Sequence, residues 1–195
     1  RSPFDQVDAE EIFRIAVGAA IDVEIISVQE WVAGLAMVTD HYQKGRVALA
    51  GDAVHLFTPS GGFGFNTGID DAANLGWKLA AMIEGWGGEH LVDSYEIERR
   101  PIGLRNTTTS GQYANKIGSL KFPDFIEEDS ARGKAARDVL REDLATFKEE
   151  FASLGIVLGA RYDGSSLIVS DGTSPPPDEP ASYIPSATPG GRLPH

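Results

Sequence analysis

The sequence predicts an α+β fold. Three observations carry that reading. A short, wholly apolar run, Val47 to Ala50, ends on Gly51-Asp52 and runs into a glycine-rich loop. Apolar and small residues then recur at spacings of three and four, as one face of a helix requires. Upstream, Asp22 to Ala36 is rich in Val and Ile and alternates in part, which reads as one or two strands.

The elements follow in order. Asp8 to Ala19 carries Ile12, Phe13, Ile15 and Ala16 and suits a short amphipathic helix. Residues 42–45 read as a polar turn, and Val47 to Ala50 as a strand buried on both faces. The next helix buries Ala72, Leu75, Gly76, Leu79, Ala80 and Ile83. Asp70 and Asp71 sit in its first turn, where the helix dipole favours negative charge, and Gly85, Gly87 and Gly88 stop it. A further helix spans Leu91 to Thr107, with Pro101 kinking it or ending its first half. Ala131 to Leu154 reads as one long helix that buries Leu140, Leu144, Phe147, Phe151 and Leu154, with Gly155 as its stop. Ile156 to Leu158 and Leu167 to Val169 read as short strands around the turn Asp163-Gly164. Seven of the eleven prolines lie in the last 25 residues, so the chain from Asp171 onward is an extended arm or linker.

Composition narrows the function classes. The chain has 195 residues, 42% of them hydrophobic, enough for a domain with a real core. A net charge of −12 argues against nucleic acid and against an anionic membrane surface. Zero cysteines exclude disulfides, thiolate nucleophiles and Cys-ligated metals, and fit a cytoplasmic protein. No apolar run reaches the roughly 20 residues of a membrane span. The chain opens on Arg1-Ser2-Pro3-Phe4 without a methionine and closes without a terminating element, which reads as a piece of a longer polypeptide.

The glycine-rich segment carries the chemistry. A carboxylate at the end of a buried strand, Asp52, needs hydrogen-bond donors, and sugar hydroxyls supply them. Gly61, Gly62, Gly64 and Gly68 allow positive φ and close backbone approach. The helix start just beyond them exposes unpaired N–H groups with a partial positive charge. Amides aimed at the N1 and O2 atoms of a flavin would stabilise its reduced, anionic form.

The joint pattern is Gly-Arg-Val, Ala-Gly-Asp-Ala, Pro-x-Gly-Gly-x-Gly-x-Asn and Asp-Ala-x-Asn-Leu-x-Trp-Lys-Leu, between Gly45 and Leu79. It resembles the second FAD-binding motif of the flavin-dependent aromatic-ring hydroxylases, the phenol and para-hydroxybenzoate hydroxylases. The likeness runs from about Trp31 to about Arg100. It implies part of a Rossmann-like FAD-binding domain joined to part of a substrate-domain sheet. Residues 1–40 would end the substrate-binding domain, 41–110 would close the FAD-binding domain and 111–170 would form a helical and strand segment. Residues 171–195 would be a linker toward a thioredoxin-like domain. By the same resemblance Gly51 permits close approach of the chain to the cofactor and Asp52 holds a ribityl hydroxyl. Pro59 lies beside the ring, Gly64, Phe65 and Asn66 present backbone groups to its pyrimidine edge, and Gly61 and Gly62 belong to the same cofactor-binding loop. No catalytic side chain transfers.

Other residues have plainer readings. Tyr95, Glu98, Arg99 and Arg100 resemble the family's Tyr-x-x-Glu-Arg-x-Pro helix, with packing as their role. His55 is a packed or loop histidine near the cofactor. Asp52, His55, Asp70 and Asp71 match no metal-ligand spacing. Ser60 lacks the surroundings of a nucleophile elbow. Trp31, Trp77 and Trp86 read as core or interface aromatics.

The family's G-x-G-x-x-G turn and its middle Asp-Gly motif do not occur in the sequence. The residues therefore hold the flavin-ring side of a site without its adenine side, which implies weak or no FAD binding by these residues alone. The resemblance implies a monooxygenase that hydroxylates a phenolic ring with FAD, NADPH or NADH, and O₂. Its partners would be an aromatic small molecule and the N-terminal part of the same polypeptide, with a homodimer left open. A flavin epoxidase, halogenase or reductase shares the fold, and a non-catalytic binding module is the reading of another class.

Overall fold

The structure is a computed structural model that describes residues 8–29 and 35–194. The chain divides into two units, residues 1–33 and 34–195.

In the first unit, helix α1 spans Ala9–Val17. The Asp8 carboxylate accepts the Glu11 amide at 3.1 Å and caps its start, and Gly18, at φ 70°, ends it in the left-handed region. No residue of α1 is buried. Residues 20–29 carry no strand, contrary to the expectation for Asp22 to Ala36; Trp31 and its neighbours to residue 34 lie outside the described residues.

The second unit is mostly helical. Its strands are two-residue pieces: β1 Met37–Val38 pairs antiparallel with β4 His55–Leu56, and β2 Gln43–Lys44 pairs with β3 Val47–Ala48. The expected polar turn is thus narrower, at Gly45-Arg46, with Gly45 at φ 59°. The strand expected over Val47 to Ala50 is not buried on both faces, because the side chains of Val47 and Leu49 are exposed.

Helix α2 spans Phe63–Ile83 and helix α3 Ser94–Gly118. Helix α2 starts inside the glycine loop, so Asp70 and Asp71 lie two turns in and not in the first turn. α3 runs through Pro101 and continues eleven residues past Thr107. The stretch from Asn106 to Ser110 is polar and carries no apolar stripe that would have extended the helix in the sequence. The long helix expected over Ala131 to Leu154 is three helices, α4 Ala131–Ala145, α5 Lys148–Phe151 and α6 Leu154–Leu158. Of its expected buried face only Phe147 is buried, while Leu144, Phe151 and Leu154 are exposed. Ile156 to Leu158 is accordingly helix rather than strand, Gly155 lies within α6, and Leu167 to Val169 forms no strand. Beyond Asp171 the chain has no helix or named strand, yet it is tied down. Arg161 bridges to Gly191, Arg105 pairs with Asp178 at 2.6 Å, and the Ile156 amide donates to the Pro180 carbonyl.

The expected packing face of α2 is inverted. Ala72, Gly76, Leu79, Ala80 and Ile83 are exposed, and only Leu75 is partly buried, against Tyr42, Val54 and Tyr95. The buried side is Phe63, Thr67, Asp71, Asn74, Lys78 and Ala81. Four of these six are polar or charged because α3 faces them with Glu98, Arg99 and Asn106, and buried charges persist only when paired. Trp77 and Trp86 are not core residues; they stack on each other, 6.5 Å apart, at the surface.

Candidate functional site

The turn after β3 is a short 3-10 segment, Gly51–Ala53, and not the end of a buried strand. Gly51 has φ +60° and its Cα faces Gly68 on α2: a Cβ at Gly68 would lie 3.2 Å from it. Two glycines in contact let the turn sit directly on the helix. Asp52 follows with an exposed side chain that makes no hydrogen bond among the described residues. The desolvation cost expected for it does not arise.

A second 3-10 segment, Ser60–Gly62, leads into α2, with Gly61 at φ 79° and Gly62 at φ 64°. Gly62 is the N-cap of α2. No side chain caps the helix and no acid occupies its first turn. The amides of Gly64 and Phe65, in the first turn of α2, have no side-chain cap. Phe65 and Asn66 are exposed, whereas Phe63 is buried against Tyr113 and Ile156. The Asn66 side chain donates back to the Gly62 carbonyl at 2.9 Å. The Pro59 carbonyl accepts the Gly62 amide at 3.2 Å, and the Gly61 amide donates to Glu150 on α5. Ser110 on α3 anchors the loop from behind, donating to the carbonyls of Thr58 and Ser60.

Beneath the turn lies a buried ionic network that sequence reasoning treated as helix-start acids and packing residues. The Asp71 carboxylate accepts from Arg99 Nε at 2.8 Å, lies 2.6 Å from His55 Nε2 and accepts the Gly51 amide at 3.2 Å. Burial alone would push its carboxyl up. The hydrogen bonds from His55 and Arg99, with the charge of Arg99, hold it below its ordinary value. Arg99 in turn loses to burial, but Asp71 and Tyr162 keep its guanidinium raised. One helical turn on, Glu98 accepts from Lys78, Asn74 and Ser165, each at 2.6 Å. Burial opposes the charged form of Glu98 and these three donors outweigh it, so its carboxyl is lowered; burial lowers Lys78, with Glu98 opposing. The pairing of acids and bases between the two helix segments was the signal available in the sequence.

The structure thus sets Gly51 and Asp52 on a turn that meets α2 at Gly68, and Pro59, Gly61, Gly62, Gly64, Phe65 and Asn66 in the loop and first turn that open α2. They lie at an open surface. A cavity of about 260 Å³ lies elsewhere, between α3, α6 and the C-terminal arm, and includes none of them. No helix among the described residues is long and apolar enough to cross a membrane.

The FAD-binding domain family matches residues 2–110, more than half of the chain. The chain belongs to that family. Phenol 2-monooxygenase of a Pseudomonas species is 37% identical to this FAD-binding-domain chain over 208 residues, covering 96% of the chain and 34% of the relative. The solved structure of RebC soaked with chromopyrrolic acid, with bound 7-carboxy-K252c, superposes with a TM-score of 0.82 at 37% identity. It covers 98% of this chain and 36% of its own. The flavin-dependent monooxygenase PieE, in complex with FAD and substrate, gives a TM-score of 0.77 at 30% identity, over 100% of this chain and 38% of its own. The chain therefore spans little more than a third of the length of these relatives.

The residues fit a flavin by the chemistry of their donors and acceptors. Uncapped amides suit an acceptor-rich ring edge, and a carboxylate without an internal partner suits a polyol.

Proposed function

We propose that this chain supplies the flavin-ring side of an FAD-dependent monooxygenase that hydroxylates an aromatic, phenolic substrate with NADPH or NADH as reductant. The observation that supports the reading is the Gly51–Gly68 contact, which seats the turn carrying the unpartnered Asp52 on the helix whose start has no side-chain cap. The bound flavin would supply hydride acceptance and the chemistry of O₂. The chain's own residues do the rest. The amides of Gly64 and Phe65, at the positive end of α2, accept charge that develops at the ring's pyrimidine edge. Asp52 accepts a hydrogen bond from a ribityl hydroxyl and fixes the cofactor's tail. Ser110 and Glu150 hold the loop that aims the amides.

The outward stripe of α2 supports a companion segment. Ala72, Ala73, Gly76, Ala80 and Ile83 are exposed, and small residues let a sheet approach closely. In this reading an N-terminal part carrying the adenine site covers that stripe, with residues 41–110 closing the FAD domain and residues 1–40 ending the substrate domain. The test is a polypeptide extended at its N-terminus to the relatives' length. It should purify with flavin absorbance and oxidise NADPH in a phenol-dependent way. A colourless protein, or one whose NADPH oxidation ignores every phenol offered, would overturn the proposal.

A further inference from the structure

We infer that Asp71 is the positioning residue of this flavin site: clamped by Arg99 and His55, its carboxylate holds the Gly51 amide and so sets the turn that presents Asp52. The inference rests on the flavin reading above.

Asp71 is fully buried, and both of its oxygens are used. Oδ1 takes Arg99 Nε at 2.8 Å. Oδ2 is shared between His55 Nε2, at 2.6 Å, and the Gly51 amide, at 3.2 Å. An ion pair needed only for stability would be complete with Arg99. The added bond to a backbone amide connects the core to a surface turn, and a bond to an ionised acceptor is stronger than a neutral one. Arg99 is itself fixed, donating from its second nitrogen to the Thr67 carbonyl at 3.3 Å. One carboxylate thus joins α2, α3, the start of β4 and the Gly51 turn. Asp52, next in the chain, makes no hydrogen bond of its own among the described residues, so its placement depends on what holds Gly51.

The second buried cluster provides the control. Glu98 binds the same two helices together through Lys78 and Asn74 but does not touch the turn. A purely structural role for Asp71 predicts that the two clusters behave alike.

The experiment uses the isotope-labelled 195-residue chain in solution. A scalar coupling across the hydrogen bond between the Gly51 nitrogen and the Asp71 carboxyl carbon is read first, without mutation. Riboflavin 5′-phosphate is then titrated, and weak binding is followed at the amides of Phe63, Gly64 and Phe65. Arg99→Lys keeps a cation beside Asp71 while loosening the clamp. It should speed Gly51 amide exchange and weaken flavin binding about tenfold, the scale on which supporting partners act on a held ligand. Glu98→Gln should lower stability and leave flavin affinity within twofold. The inference falls if the coupling is absent and Gly51 exchanges at the unstructured rate. It also falls if Arg99→Lys binds flavin like wild type, or if Glu98→Gln weakens flavin equally. If flavin perturbs these amides neither in this chain nor in the N-terminally extended polypeptide, the flavin reading itself fails, and this inference with it.

Discussion

Replacing Lys78 by Met tests the energetics of the α2–α3 interface. Lys78 is fully buried and its ammonium lies 2.6 Å from Glu98, itself 3% exposed. The substitution keeps the side chain's length and removes its charge. Glu98 then keeps Asn74 and Ser165 as neutral donors and no cation. It must remain as an uncompensated buried anion or take up a proton. Its ordinary value is 4.5, so at pH 7 the proton costs about 2.5 × 1.36, roughly 3.4 kcal/mol. At pH 5.5 the same step costs about 1.4 kcal/mol. The variant should therefore be less stable than wild type by about 3–5 kcal/mol at pH 7, the range for a broken buried pair. That deficit should shrink by about 2 kcal/mol at pH 5.5. Adding Glu98→Gln should recover much of the pH 7 loss by removing the orphaned charge. Urea unfolding followed by tryptophan fluorescence at both pH values measures this. A loss under about 1 kcal/mol at pH 7, or an equal loss at both pH values, would refute the reasoning.

Three further outcomes follow from the same contacts. Gly103→Ala should destabilise by about 1–3 kcal/mol, although alanine favours helices, because its Cβ would overpack the buried Tyr42 hydroxyl; in a Tyr42→Phe background, thermal melts should show most of that cost gone. On the acid side, Glu98 and Asp71 are both lowered in the folded chain, from 4.5 and 3.8. The unfolded chain takes up these protons first, so the stability they contribute is complete above about pH 4.5 and is lost as pH falls through the folded values. The urea midpoint should be level from pH 6 to 8 and drop below pH 4.5, and a midpoint level down to pH 3.5 would contradict this. Gly68→Ala brings a Cβ within 3.2 Å of Gly51 Cα; it should leave helix content intact in circular dichroism while weakening the response of the Phe63–Phe65 amides to flavin.

The parts of the fold that sequence exposed are those fixed by local chemistry. The amphipathic helix expected over Asp8 to Ala19 forms as α1, Ala9–Val17. The glycines at 61 and 62 do take positive φ, and a helix does follow. What stayed hidden depends on partners far along the chain. Thr67, Asp71, Asn74 and Lys78 recur at helical spacing, but polar residues at that spacing read as a solvated face until Glu98, Arg99 and Asn106 are set opposite them. The apolar stripe at Ala72, Leu79 and Ile83 was correctly periodic, yet within this chain only Leu75 finds cover. α3 continues past Thr107 because Ser110 and Tyr113 bind the loop and α5, contacts that leave no period in the sequence. The break of the third long helix at Thr146 follows from Phe147 turning into the core while Phe151 stays outside.

A crystal structure of the chain soaked with riboflavin 5′-phosphate locates the flavin outright. Ring density is expected with its pyrimidine edge at the amides of Gly64 and Phe65 and a ribityl hydroxyl on the Asp52 carboxylate. Flavin density confined to the cleft between α3 and the C-terminal arm, with Asp52 bare, would contradict it.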